Sequence, residues 1–226
     1  ITSAVQVSAG NLHTCALLSG ATVRCWGRNS NGQLGYGDTT DRSSPPGTDV
    51  AVGVNVANVQ AGTFVTCVLS VTGTVRCWGN NAYGQLGNPD AESGSTVVEV
   101  ALPADAHIVD IAAGVSHTCA LAQDHRVFCW GSNGFGQLGI GDVPSQLSPQ
   151  LVTLAASAAQ PSSLTAGGFT TCVAMSNGRA QCWGRNQYGE VGDGTRTLRN
   201  VPTNVTGIAD AVDIEDRKST RLNSSH

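Results

Sequence analysis

Eight cysteines fall into four pairs whose partners lie ten positions apart: Cys15 with Cys25, Cys67 with Cys77, Cys119 with Cys129, and Cys172 with Cys182. Paired cysteines can form disulfides, ligate a metal, or pack as small buried thiols. Metal ligation has the least support, because no C-x-x-C occurs and no His or acidic residue recurs beside the pairs as a third ligand. Disulfides have a geometric argument. In an antiparallel hairpin, opposed residues share a constant index sum, and the four pairs centre on Gly20, Thr72, Asp124 and Asn177, all in turn-like sequence. Opposed Cα atoms lie about 4.5–5.5 Å apart, within disulfide reach. Each closed loop would stabilise the chain by about 2.5–3 kcal/mol. Four bridges would place it in an oxidising compartment, whether extracellular, periplasmic or cell-surface. Buried thiols between packed units are the alternative.

Other reactive side chains form no constellation. His13 and His117 occupy the same place in non-adjacent units, so they read as hydrogen-bonding strand residues rather than as a pair of bases. Asp38, Asp90 and Asp142 each follow the last Gly of a turn by three residues, but no D-x-D-x-D-G calcium loop accompanies them, so Asx-turn capping is expected. Arg24, Arg76, Arg126 and Arg179 read as solvated positions beside turns. The glycines lack the G-x-x-x-x-G-K-S/T context of a phosphate loop. No catalytic triad, paired carboxylates or H-E-x-x-H is present. No catalytic, cofactor-binding or metal residue is therefore expected, and the chain is not read as an enzyme. With 12 Lys+Arg against 16 Asp+Glu the formal charge is −4, which offers no footprint for nucleic acid. No apolar run has the length of a spanning helix. Asn204-Val205-Thr206 is a glycosylation sequon, a signal too common to use.

The elements that must position the cysteines are repeats. Ala9-Gly10, Ala61-Gly62, Ala113-Gly114 and Ala166-Gly167 recur at steps of 52, 52 and 53 residues. The second Cys of each pair precedes Trp26, Trp78, Trp130 or Trp183, all four Trp of the chain. Each Trp opens W-G-x-N-x-x-G-Q/E-L/V-G. The constant positions are Gly27, Asn29, Gly32 and Gly35; Gly79, Asn81, Gly84 and Gly87; Gly131, Asn133, Gly136 and Gly139; and Gly184, Asn186, Gly189 and Gly192. With Gly10, Gly62, Gly114 and Gly167 they make a structural signature. Runs such as His13–Leu17 and Thr22–Trp26 are short and rich in β formers, and no 3.6-residue period is sustained. Strand-rich units of about 52 residues indicate an all-β propeller, whose blades bury their faces only by stacking.

These motifs resemble the regulator of chromosome condensation repeats. The match is fullest at Ala9 to Leu17 with Trp26 to Gly35, and at Ala113 to Leu121 with Trp130 to Gly139. The resemblance implies a propeller of four-stranded antiparallel blades, about four of an expected seven, forming an open arc of a ring that is monomeric in the complete protein. Departures are Val65 and Thr170 in place of the family His, and Glu190-Val191 in place of Gln-Leu. Cys before Trp is similar to secreted or surface members of bacterial type. No insertion matches the β-wedge of the nuclear exchange factor.

The expected organisation is a repeat propeller over 1–214, with units at about 5–56, 57–108, 109–161 and 162–210 and a fifth starting at 211–214. Residues 215–226 break the pattern and read as a foreign or flexible tail. The expected role is a secreted or cell-surface protein-interaction module that binds a protein partner through its variable connections, Tyr36 to Asn55, Asn88 to His107, Ile140 to Ser163 and Asp193 to Gly207. The alternative is guanine-nucleotide exchange on a small GTPase. An enzyme domain attached elsewhere is a third reading.

Overall fold

The structure, a computed structural model, describes residues 1, 3–213 and 219–220. The anticipated tail at 215–226 therefore lies outside the described residues, except Ser219–Thr220. Among the described residues all regular structure is β, in four antiparallel four-stranded sheets that are the blades of a propeller. The first blade holds β1 (Ala4–Ala9), β2 (His13–Leu18), β3 (Val23–Gly27) and, beside β1, the two-residue β16 (Ser219–Thr220). The second holds β4 (Val56–Ala61), β5 (Val65–Ser70), β6 (Val75–Gly79) and β7 (Gly94–Glu99). The third holds β8 (Ile108–Ala113), β9 (His117–Ala122), β10 (Val127–Gly131) and β11 (Gln146–Val152). The fourth holds β12 (Pro161–Gly167), β13 (Thr170–Met175), β14 (Ala180–Gly184) and β15 (Arg199–Asn204).

One register repeats throughout. The Gly after each Trp faces the start of a fourth strand, pairing Gly79 with Gly94, Gly131 with Gln146 and Gly184 with Arg199. In the first blade the same spacing yields only an isolated bridge, Gly27 to Arg42. Pro46, which has no N–H, stands where Val98, Gln150 and Thr203 pair with the third strand in the other blades, and here the ladder stops after one pair.

The strands are short and β-branched, and alternation gives the two inner blades two buried faces each. On β5, Val65, Cys67 and Leu69 face the third blade, while Val68, from the opposite face, packs in the core shared with the first. Three apolar cores result, one per junction. The first joins Cys15, Leu17, Val23 and Cys25 to Val59, Val68 and Trp78. The others join Cys67, Cys77 and Leu86 to Ile111 and Trp130, and Cys119, Cys129 and Leu138 to Val173 and Trp183. First strands approach one another from blade to blade, β1 to β4, β4 to β8 and β8 to β12. Packing runs from each blade to the next, and among the described residues the first and fourth share no packed face, so the blades form an arc.

Candidate functional site

The signature residues converge on the joints between blades. The indole Nε1 of Trp78 donates to the Gln33 carbonyl at 2.8 Å, that of Trp130 to Gln85 at 3.0 Å, and that of Trp183 to Gln137 at 2.9 Å. Each bond crosses from one blade to the turn of the blade before it. The same carbonyls accept a hydroxyl from Thr66, Thr118 and Thr171. Close approach of the ring requires glycine in the turn: a Cβ on Gly35, Gly87 or Gly139 would stand 2.6–2.7 Å from the next blade's indole nitrogen. The turn is shaped by Asn29, whose Oδ1 accepts the Leu34 N–H while its carbonyl accepts that of Gly32. Asn81, Asn133 and Asn186 repeat both bonds.

His13 and His117 belong to the joints as well. Thr66 Oγ1 has one proton and gives it to the Gln33 carbonyl, so it accepts from His13 Nε2–H at 2.8 Å. His117 donates likewise to Thr171 at 2.9 Å. Both imidazoles are thus neutral Nε2–H tautomers, and their buried Nδ1 atoms have no hydrogen-bond partner. Burial lowers both pKa values to about 4. These histidines fasten blades and stand in the first and third, apart from one another.

The four cysteine pairs are disulfides, each joining directly opposed residues of the second and third strands with Cα atoms 4.1 Å apart. No cysteine is free. Three bridges are fully buried beneath a following blade, whereas Cys172 and Cys182, which no following blade covers among the described residues, retain some exposure. Limited reduction of the native chain in dilute solution is expected to open Cys172–Cys182 first, as read by alkylation and peptide mapping. Preferential opening of another bridge would contradict this placement.

Arg24 pairs with Asp49, Arg76 with Glu99, and Arg126 with Asp105 and Asp124, while Arg179 is exposed. The expectation of capping by Asp38, Asp90 and Asp142 holds at Asp38 alone. Its carboxylate accepts from Arg42, the Thr40 N–H and Asn29, and these bonds, Arg42 foremost, hold its pKa at about 2. In the second unit the cap is Asn88, which accepts the Asp90 N–H; in the fourth it is Asp193, bonded to Thr195 and Arg199. The fourth unit also departs at its Ala-Gly: the carbonyl that accepts the Val115 N–H belongs to Gly168, not Gly167. Among the described residues no group of three His, Cys, Asp or Glu could hold a metal ion, and no helix could cross a membrane.

One end of the arc carries a feature that the sequence reading missed. Each loop between first and second strands is tied to the Gly-rich turn by one bond, from the N–H of Arg28, Asn80, Ser132 and Arg185 to the carbonyls of Leu12, Phe64, Ser116 and Phe169. Five of the seven Phe and Tyr lie on these loops and turns: Phe64, Tyr83, Phe135, Phe169 and Tyr188. Tyr83 is 51% exposed, Phe135 38% and Tyr188 75%. Phe135 and Phe169 meet across a blade boundary with ring centroids 4.8 Å apart. Arg185 lies over Phe169 and Tyr188 and pairs with Glu190. The backbone beneath is fixed, because Gln85, Gln137 and Glu190 accept the N–H of Tyr83, Phe135 and Tyr188. These rings stand at variable positions of the signature, where the repeat pattern shows only spacing. The opposite end, where the connections cross between blades, has shallow grooves of about 440, 220 and 270 Å³ lined by residues such as Val52, Leu102 and Leu154.

Residues 1–222 match the model of the RCC1-like domain. The chain is 37% identical over 201 residues to the ultraviolet-B receptor UVR8 of Arabidopsis thaliana, covering 88% of the chain and 46% of the receptor. It is 32% identical over 204 residues to the probable E3 ubiquitin-protein ligase HERC4 of Homo sapiens, covering 90% and 19%. It therefore spans less than half the length of either. Among solved structures, human WBSCR16 superposes with a TM-score of 0.83 at 24% identity over 92% of this chain and 58% of that one. Prp20p of Saccharomyces cerevisiae, described with its binding to Gsp1p and histones, gives 0.78 at 24% identity over 91% and 51%. At such identity these two attest the fold alone. The repeat spacing, the blade architecture and the family match agree: the chain belongs to the RCC1-like domain family.

Proposed function

We propose that this propeller is a protein-interaction module, secreted or displayed at a cell surface, whose contact face is the aromatic end of the arc. The observation that carries the reading is the row of exposed rings, Tyr83, Phe135 and Tyr188, held on turns whose backbone is fixed by side-chain bonds. Aromatic residues and Arg are enriched where proteins meet, and a preorganised loop loses little freedom on binding. Prp20p, whose fold the chain shares, binds Gsp1p and histones, so a propeller of this type can meet protein partners. The variable connections at the other end carry grooves but only one aromatic, Tyr36, whose hydroxyl is engaged by the Cys25 N–H and whose ring lies under Arg42. Four disulfides support an oxidising compartment.

Site-specific photo-crosslinking in the native organism tests the face. A crosslinker at position 83, 135 or 188 is expected to capture one discrete protein. Excess unlabelled chain should compete, and a Tyr83→Ala/Phe135→Ala/Tyr188→Ala variant should not. Equal capture from Arg179 on the opposite end, or competition by the triple variant, would overturn the assignment.

A further inference from the structure

The signature asparagines of the second and third units each hold two things at the aromatic end: the turn that carries an exposed ring, and the loop that leads to the fourth strand. In the second unit the ring is Tyr83, and Asn81 binds the loop on both sides of Glu92. Its N–H donates to the Ser93 hydroxyl at 2.7 Å and its Nδ2 to the Ala91 carbonyl at 2.6 Å. In the third the ring is Phe135, and Asn133 Nδ2 donates to the carbonyls of Gly141 and Val143, at 3.1 and 2.8 Å, on both sides of Asp142. One residue per blade thus fixes a ring and an acid on the same end. The charges of these two blades are sorted between the ends. Arg76 and Arg126, paired with Glu99, Asp105 and Asp124, stand at the opposite end. At the aromatic end Asp90, Glu92 and Asp142 are exposed, and among the described residues none of them pairs with a base. No Lys, Arg or His occurs from Gly79 to Gly94, from Gly131 to Gln146, or in the loops 62–64 and 114–116.

The first and fourth blades show what such rings and acids hold. Arg42 lies over the Tyr36 ring, 4.3 Å from its centroid, and pairs with Asp38. Arg185 lies over Phe169 and Tyr188 and pairs with Glu190. In the inner blades Gly94 and Gln146 stand where the first has Arg42, and Asn80 and Ser132 stand where the fourth has Arg185. Rings and acids are present there without their arginine. We infer that the second and third blades bind a basic stretch of the protein partner, whose Lys or Arg side chains meet two successive stations, Tyr83 with Glu92 and Phe135 with Asp142. A ring face attracts a cation, the unpaired carboxylates complement its charge, and an acidic segment would be repelled. The fourth unit is not a third station, because Arg196 takes the place of the acid between the Thr195 and Thr197 carbonyls that Asn186 binds. This inference rests on the reading of the aromatic end as the contact face.

Fluorescence anisotropy of the whole chain with fluorescein-labelled octa-arginine, against octa-glutamate and octa-proline, tests it. Octa-arginine is expected to bind at least about tenfold more tightly than either, and to weaken as salt rises. Glu92→Gln/Asp142→Asn removes two charges and keeps the rings, whereas Tyr83→Leu/Phe135→Leu removes the ring faces and keeps the charges. Each pair is expected to weaken binding about tenfold. Asp105→Asn/Asp210→Asn makes the same change in net charge at the opposite end, where Ala211 is bonded to Gly178, and is expected to leave the affinity within about twofold. In the photo-crosslinking experiment, the partner peptide captured from position 135 should carry at least two Lys or Arg when mapped by mass spectrometry. Octa-arginine binding no tighter than octa-glutamate, equal weakening by the opposite-end pair, or unchanged affinity in the Leu pair would overturn the inference. Capture from position 135 of one discrete protein through a segment without bases would also overturn it, while leaving the contact face itself in place.

Discussion

Replacing Trp130 by alanine is expected to destabilise the chain by about 4–5 kcal/mol, and the same change at the only partly buried Trp26 is expected to cost less. Trp130 is fully buried between the second and third blades, in one core with Leu86, Val100 and Ile111. Truncation leaves a cavity on both sides of the joint and removes the donor to the Gln85 carbonyl, which then keeps only Thr118. Trp26 stands in the same sequence context but is only partly buried, with no preceding blade packed on it among the described residues. Repeat arrays owe their stability to nearest-neighbour joints, so loss of the middle joint should also uncouple the two halves. Urea denaturation followed by circular dichroism and Trp fluorescence is expected to show one transition for Trp26→Ala and two for Trp130→Ala. Trp130→Phe keeps most of the packing and should recover more than half of the loss. Equal destabilisation at positions 26 and 130 would refute the joint as the unit of stability.

The contrast between these two tryptophans marks what the sequence could convey. Period, strand pairing and cysteine opposition are carried by indices, because an antiparallel hairpin fixes which residue faces which. Cys15 and Cys25 had to meet once the turn lay at Gly20, and they do. What a residue meets in the neighbouring blade is not carried by indices within one unit. Hence Gly35 read as a turn glycine, although its lack of a side chain also admits Trp78. Tyr83, Phe135 and Tyr188 fell at variable positions of a structural motif, and only the folded turn reveals that they project from one end. The caps at Asn88 and Asp193 were missed because a capping side chain can act from several nearby positions, so equal spacing from the last Gly was the wrong guide. In the first blade the fourth strand shrinks to a single bridge, which the repeat count concealed and prolines could not announce, since Pro149 and Pro202 lie inside the fourth strands β11 and β15.

Acidification from pH 7.5 to pH 5 is expected to remove about 4 kcal/mol of stability through two side chains, His13 and His117. Each is neutral in the folded state with a pKa lowered to about 4 by burial, against 6.5 for an exposed imidazole. The unfolded chain therefore takes up protons first as pH falls. Stability is complete above pH 6.5, declines through the window from 6.5 to 4, and levels off below it. At pH 5 the loss is about 2 kcal/mol per histidine by linkage. The cause is local: Nε2–H is committed to Thr66 or Thr171, and a second proton must sit on a buried Nδ1 with no acceptor. Asp38 and Asp193, with pKa held at about 2, lose their stabilising ionisation only below the usual carboxylate value, outside this window. The repeats supply the control, since the second and fourth units carry Val65 and Thr170 at the same position. His13→Val with His117→Thr should lower stability at pH 7.5, through the lost bonds to Thr66 and Thr171, yet flatten the decline toward pH 5. Urea unfolding at both pH values decides the matter, and a double variant that kept the wild-type slope would assign the acid sensitivity to other groups. Protonation of the same two histidines should loosen the first and third joints and leave the middle one intact, because Val65 carries no titratable group.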